Sequence, residues 1–190
     1  MGGDTAISPA KKAHDVFIVY KGNKMEADRI VTLEEEAGVK CASLLLNLKE
    51  ISTSDNFIKT PTSTMKEKYN IDKFDFLINN AGMSCTILFE KANEEDFDEF
   101  LNVHYKSVYF LTQKCLPLIN ESRSIINLST GTTRFADPGY SIYATMKGVL
   151  EVFTKYLAKQ LGARGITQMQ LHPVPLKLML IARPFILIHK

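Results

Sequence analysis

Tyr143 and Lys147 stand four residues apart in the run Tyr-Ala-Thr-Met-Lys. On a helix that spacing puts both side chains on one face, a turn apart. An ammonium beside a phenol favours the phenolate and draws the phenol pKa towards neutrality. Such a phenol can give or take a proton at a carbonyl or alcohol oxygen. The spacing by itself is weak evidence, because Tyr20/Lys24 and Tyr69/Lys73 share it. Only the third pair has a hydroxyl thirteen residues upstream, Thr130, directly after an apolar run. Only that pair also follows an Asn79-Asn80-Ala81-Gly82 segment. Together these residues point to proton transfer at a carbonyl or secondary alcohol.

Chemistry of this kind needs a scaffold that brings distant segments together. Short apolar runs at 15–20 (DVFIVY), 40–46, 74–79 (FDFLIN) and 124–128 (SIINL) predict buried strands. Between them, 24–37, 53–69 (with a break near Pro61), 94–116 and 143–161 carry helical patterns. Alternating strands and helices predict an α/β fold, a Rossmann-like doubly wound parallel sheet covered on both faces. Ligands of such a sheet bind beyond the carboxyl ends of its strands. Asn47, the Asn79–Gly82 segment and Ser129-Thr130-Gly131 all follow predicted strands. Small and amide residues there let a ligand approach the backbone and offer donors and acceptors.

Composition narrows the class further. The chain has 190 residues, 45% hydrophobic and 23% charged, which suits one soluble globular domain. A net charge of +2, with interleaved signs as in Lys66-Glu67-Lys68, supplies no basic face for nucleic acid. No apolar run is long enough to span a membrane, and the start lacks a signal-peptide pattern, so a cytoplasmic, membrane-free protein is expected. Cys41, Cys85 and Cys115 are sparse, with no Cys-x-x-Cys pair. They predict inert, part-buried thiols and no metal site.

With Asn79-Asn80-Ala81-Gly82, IINLST at 125–130, Pro138-Gly139, Tyr143 with Lys147, and Ala163-Arg164-Gly165-Ile166 in view, the chain resembles the short-chain dehydrogenase/reductase family, classical type. The resemblance runs from about Gly2 to Thr167. It implies a nicotinamide-dependent oxidoreductase that interconverts a carbonyl and a secondary alcohol. Tyr143 would be the general acid/base. Lys147 would lower its pKa and hold the nicotinamide ribose. Thr130 stands where the family usually has serine and would polarise the carbonyl; Ser129 is one residue early and would point elsewhere. His104 falls at the family's active-site asparagine, although a helix histidine without catalytic duty fits equally well. Asn80, Ala81 and Gly82 would line the cofactor, and Asn47 replaces the aspartate that commonly holds adenine. Lys21 and Asn23 follow the first predicted strand with no acid among them, which favours NADP over NAD. The helices 94–116 and 143–161 match those through which the family often forms homo-oligomers.

Both ends depart from the family pattern. Neither the expected first strand nor its Gly-rich turn precedes residue 15, so residues 1–167 read as a partial NAD(P)-binding domain. The missing strand should leave two inner sheet edges unpaired and make nicotinamide binding weak or absent. Residues 168–190 read as a non-native-looking tail, with the C-terminal strands absent. A back-translation of 168–179 shifted by two bases gives Asn-Ala-Val-Ala-Pro-Gly-Ala-Ile-Glu-Thr-Asp, close to the family's continuation, which suggests out-of-frame translation. The rival expectation is a non-catalytic truncated relative that associates with an intact homologue, or a gene-prediction or pseudogene product. A short membrane-associating tail is disfavoured by Arg183, Pro184 and the brevity of its apolar runs.

Overall fold

The structure is a computed structural model that describes residues 14–20, 22–45, 59–172 and 185–189. Its elements are β1 (Asp15–Tyr20), α1 (Lys24–Glu36), β2 (Cys41–Leu45) and α2 (Lys59–Thr64), which runs into a π turn at Met65–Tyr69. Then come β3 (Phe74–Asn79), α3 (Glu94–Leu101), a π turn at Asn102–Lys106, α4 (Ser107–Cys115), β4 (Ile119–Leu128), α5 (Ser141–Leu161), β5 (Thr167–Leu171) and β6 (Phe185–His189).

Six strands form one sheet in the order β2-β1-β6-β3-β4-β5. The pairs β1–β2, β3–β4 and β4–β5 are parallel, whereas β6 runs antiparallel to both β1 and β3. Alternate side chains of β1 enter opposite layers. Phe17 and Val19 join Leu77, Leu111, Ile125, Leu150 and Leu157 on one face, while Val16 and Ile18 join Ile30, Cys41, Ile78 and Leu128 on the other. This two-sided burial is why the strands read as continuous apolar runs. Each fully buried Leu or Ile here is worth roughly 1.5–3 kcal/mol.

Local chemistry sets the helix limits. Asn23 caps α1 by accepting from the Glu26 backbone N–H at 3.0 Å, and Asn93 caps α3 by accepting from Asp96 N–H at 2.8 Å. The segment expected as one helix over 94–116 is continuous but is locally unwound at Asn102–Lys106 into a wider π turn. Such turns frequently mark functional sites. At the other end of the sheet, buried Asp75 receives Arg123 Nε at 2.7 Å and Asn120 Nδ2 at 3.0 Å. That anchor carries β4 back to Ile119, five residues before the predicted start at 124. Ser122, at φ 58°, absorbs the register shift between Phe74 and Phe76.

Two expectations about the ends need correction. The sheet does not stop at Thr167: β5 pairs in unbroken register from Ser124↔Thr167 to Leu128↔Leu171. Nor are the inner edges of β1 and β3 bare, because β6 lies between them and pairs with both. Backbone N–H and C=O groups in a sheet interior must find partners, and a strand of either direction can supply them. Lys21 and Asn47 lie outside the described residues. Among the described residues no helix is long and apolar enough to cross a membrane, and no group of three or more His, Cys, Asp or Glu could hold a metal ion. Cys41 and Cys115 are buried, with thiols pushed up to about 12 chiefly by burial, but Cys85 is exposed rather than part-buried.

Candidate active site

Helix α5 is fastened to the end of β4 rung by rung. Lys147 Nζ, buried, donates to the Leu128 carbonyl at 2.7 Å. One turn further on, Glu151 accepts from Ser129 Oγ at 2.8 Å. Thr154 accepts from Asn127 Nδ2 at 2.9 Å and donates to Leu150 O at 2.8 Å. Asn127 in turn accepts from Asn79 Nδ2 at 2.7 Å, and Asn79 Nδ2 also lies 3.1 Å from Thr112 Oγ1 on α4. This buried polar chain joins β3, β4, α4 and α5 beneath the site. Such a network is costly when half-satisfied and rigid when complete.

Tyr143 is buried at the start of α5. Its ring meets His104 edge-on at 5.2 Å and Phe100 at 6.5 Å, and Lys147 Nζ lies 6.0 Å from its centroid. Met83, Ile87, Tyr140, Met146 and Ile142 pack around this aromatic group, so its flank is apolar. The structure therefore brings Tyr143, Lys147 and His104 together. Thr130 follows two residues after the carbonyl that holds Lys147, with extended backbone (φ −149°, ψ 156°). Its hydroxyl caps the turn Gly131–Thr133 by accepting from Thr132 N–H at 3.3 Å.

His104 sits inside the π turn. Its Nε2 is 2.8 Å from the Met83 carbonyl and 3.4 Å from the Met83 N. The shorter contact assigns the proton to Nε2, leaving Nδ1 buried with no partner. Burial, and then the Lys147 charge, lower its pKa to about 3 against a small opposing effect of the Met83 carbonyl. His104 is thus neutral at ordinary pH. Its unfolded pKa is near 6.5, so protons bind the unfolded chain first as pH falls. Stability is fully present above about pH 6.5 and drops below it by up to about 1.4 kcal/mol per pH unit. In His104→Asn that component of the acid slope should vanish, as read from urea midpoints between pH 4 and 7.

Asn80, Ala81 and Gly82 leave the carboxyl end of β3. Both polar atoms of the Asn80 side chain are buried without a partner. A Cβ at Gly82 would come within 3.0 Å of His104 Cε1, so the glycine makes room for the imidazole. Asn23 stands at the carboxyl end of β1 with Oδ1 engaged in capping α1. Gly139 (φ 81°) brings the loop before α5 against residues 86–87, where a Cβ would meet Thr86 Cγ2 at 2.5 Å. The Gly139 carbonyl accepts from Ile87 N–H at 2.9 Å. Two loops over the carboxyl edge are thus tied together beside Tyr143.

Sequence reasoning missed Glu151, His172 and the paired amides of Asn79 and Asn127. Glu151 had a visible signal, because 143, 147 and 151 continue one helical stripe of Tyr, Lys and Glu. His172 lay beyond Thr167, where the pattern had been expected to stop.

The sequence pattern of the enoyl-(acyl carrier protein) reductase family matches residues 1–184. A 3-oxoacyl-[acyl-carrier-protein] reductase from Staphylococcus aureus is 28% identical over 169 residues, covering 88% of this chain and 66% of that protein. Its Thermotoga maritima counterpart is 32% identical over 146 residues, 76% of this chain and 57% of that one. The chain thus spans just under two thirds of the length of the staphylococcal relatives. Among solved structures, the promiscuous reductase LugOII, a catalyst of keto-reduction, superposes with TM-score 0.84 at 29% identity, over 91% of this chain and 69% of that one. The landomycin C-6 ketoreductase LanV with bound NADP and rabelomycin gives 0.83 at 28%, over 90% and 71%. The β3 exit, the β4 exit and the α5 stripe lie along one mixed, mostly parallel α/β sheet, and with these likenesses they place the chain in the short-chain dehydrogenase/reductase family.

Proposed function

We propose that this chain is an NADP(H)-dependent oxidoreductase that interconverts a carbonyl and a secondary alcohol. The observation that carries the reading is the gathering of Tyr143, Lys147 and His104 in one apolar-flanked cluster at the carboxyl edge. The nicotinamide end of the cofactor fits the residues present. The orphaned Asn80 amide and the Lys147 ammonium sit where a ribose and carboxamide would find partners. When bound, the nicotinamide supplies or accepts the hydride. Tyr143 gives its phenolic proton to the substrate oxygen during reduction and takes it back during oxidation. Lys147 stabilises the phenolate electrostatically, and its bond to Leu128 O fixes the ammonium on the correct side of α5. Thr130 donates to the carbonyl oxygen and polarises it. Neutral His104 contributes shape rather than charge. By the family resemblance, Lys21, Asn23 and Asn47 would select the 2′-phosphate and hold adenine.

The substrate is a small-molecule ketone. A relative named for 3-oxoacyl-[acyl-carrier-protein] reduction and a neighbour named for keto-reduction in lugdunomycin biosynthesis both suit the apolar flank of Tyr143. The decisive assay is NADPH oxidation by the purified chain with a 3-oxoacyl thioester and, separately, a polycyclic aromatic ketone. Turnover that prefers NADPH to NADH supports the reading, and no turnover with no change in the fluorescence of NADPH itself on titration overturns it.

A second reading is a non-catalytic member of the family. It draws on β6, which runs antiparallel in the sheet centre, where the pyrophosphate-binding fold normally has a strand that leads into a Gly-rich turn. NADPH titration by fluorescence separates the two readings.

Homo-oligomerisation is part of the proposal. Val149, Val152 and Tyr156 form an exposed stripe on α5, beside Tyr109 of α4, whose ring lies 4.9 Å from that of Phe153. Contiguous exposed apolar side chains on a helix face are candidates for a contact surface. Val152→Asp with Tyr156→Asp should shift the chain from oligomer to monomer in sedimentation velocity. An unchanged sedimentation coefficient would exclude this surface.

A further inference from the structure

The carboxylate of Glu151 has no part in the proton chemistry above, yet three segments converge on it. Ser129 Oγ donates to Glu151 Oε1 at 2.8 Å, and His172 Nε2 lies 3.0 Å from the same oxygen. The Thr133 side chain is a third hydrogen-bond partner. Burial works against the charged form, but bonds from Thr133, Ser129 and His172 outweigh it, and the Glu151 pKa lies below its ordinary value.

The three partners are not scattered. Ser129 and Thr133 flank Thr130 on either side, and Thr133 Oγ1 also contacts the Thr130 carbonyl at 2.9 Å. His172 follows β5, whose last residue accepts from the Ser129 N–H through the Leu171 carbonyl at 2.8 Å. Glu151 itself stands one turn beyond Lys147 on the same face of α5. One carboxylate therefore ties together the turn that presents Thr130, the end of β5, and the helix that carries Tyr143 and Lys147. The Ser129–Glu151–His172 order puts the carboxylate between hydroxyl and imidazole, so the imidazole base is not in contact with Ser129. The cluster is built to hold, not to attack.

We infer that Glu151 is a positioning residue: by clamping Ser129, Thr133 and His172, it fixes the Thr130 hydroxyl relative to Tyr143 and Lys147. This rests on the reductase reading for its consequence, but the clamp itself is a statement about the 129–134 turn. A misplacement of about 1 Å at a reacting group can cost roughly 100-fold in rate.

The test has two arms on the 190-residue chain. Hydrogen exchange at the Ser129, Thr132 and Arg134 amides is compared between wild type, Glu151→Gln and Ser129→Ala. Both variants should exchange faster there while β1 and β3 amides are unchanged, and unaltered exchange overturns the clamp. Turnover of NADPH with a 3-oxoacyl thioester is then measured for Glu151→Gln, Thr130→Ala and the double variant. Glu151→Gln should lower kcat about 10- to 100-fold, with little change in KM for NADPH. In the Thr130→Ala background the same substitution should add less than about twofold, because the two act through one contact. Additive losses would show that Glu151 does not work through Thr130 and would overturn the assignment. An inactive wild type with the expected exchange change would remove the reductase reading and leave the clamp standing.

Discussion

Tyr143→Phe should lower kcat for ketone reduction by roughly 100- to 10,000-fold, the range set by loss of one positioned acid/base group. Only the hydroxyl is removed. The ring keeps its edge-on contact with His104 at 5.2 Å and its neighbours Phe100 and Tyr140 at 6.5 and 6.3 Å. The fold should therefore lose no more than about 1 kcal/mol, the net worth of a single hydrogen bond. NADPH affinity should change little, since Lys147 retains its bond to Leu128 O. Steady-state kinetics beside a thermal melt separate the chemistry from the folding. A variant that keeps kcat within a few-fold of wild type would remove Tyr143 from the proton-transfer role.

The second large effect concerns β6. A chain ending at Pro184 lacks the strand that pairs with β1 over Asp15↔His189 to Val19↔Phe185 and with β3 over Phe76↔Ile188 to Ile78↔Ile186. Two interior edges then face each other without partners. Each lost backbone bond is worth about 1 kcal/mol net, and each buried group left unpaired costs about 1–3 kcal/mol more. A domain of this kind has only about 5–15 kcal/mol in total. The shortened chain should show no cooperative urea transition and should self-associate through its open edges. Ile186→Pro removes one donor from an interior strand and should move the same way more mildly. Far-UV circular dichroism and a urea midpoint matching the full chain would mean that β6 does not bridge β1 and β3.

How much of this could be read from sequence depended on what each residue faces. β1 and β3 were legible to the residue because every position between their ends is apolar or tucked into a layer. The first half of β4 was not legible. Asn120, Glu121, Ser122 and Arg123 carry no strand period, and they extend only because Asp75 anchors Asn120 and Arg123 from a neighbouring strand. The π turn around His104 likewise left no local mark, since helical periodicity averages over a single extra residue. The Tyr143–Lys147 pair and the Asn80–Gly82 exit were readable as fixed spacings within one segment. Glu151 with His172, and Asn79 with Asn127, are contacts between segments, and no window along the chain contains both partners. β6 was the largest miss. Its five residues, read alone, could belong to any buried element, and the slot that claims them is visible only when the sheet is assembled.

The place of β6 also bears on how the chain comes to be folded during synthesis. Residues 15–45 can build β1, α1 and β2 soon after they emerge, and 74–171 can build β3, β4 and β5. Among the described residues the two halves share a sheet through residues 185–189, which pair with β1 near the other end of the sequence and with β3 in its middle. Contacts so distant in sequence close slowly, because the intervening loop entropy is lost before they form. While the ribosome works through the intervening codons, two half-sheets with open inner edges coexist on one nascent chain. That interval exposes the protein to chaperones and to misassembly, and the time between the synthesis of β5 and that of β6 would govern how much of it reaches the closed sheet.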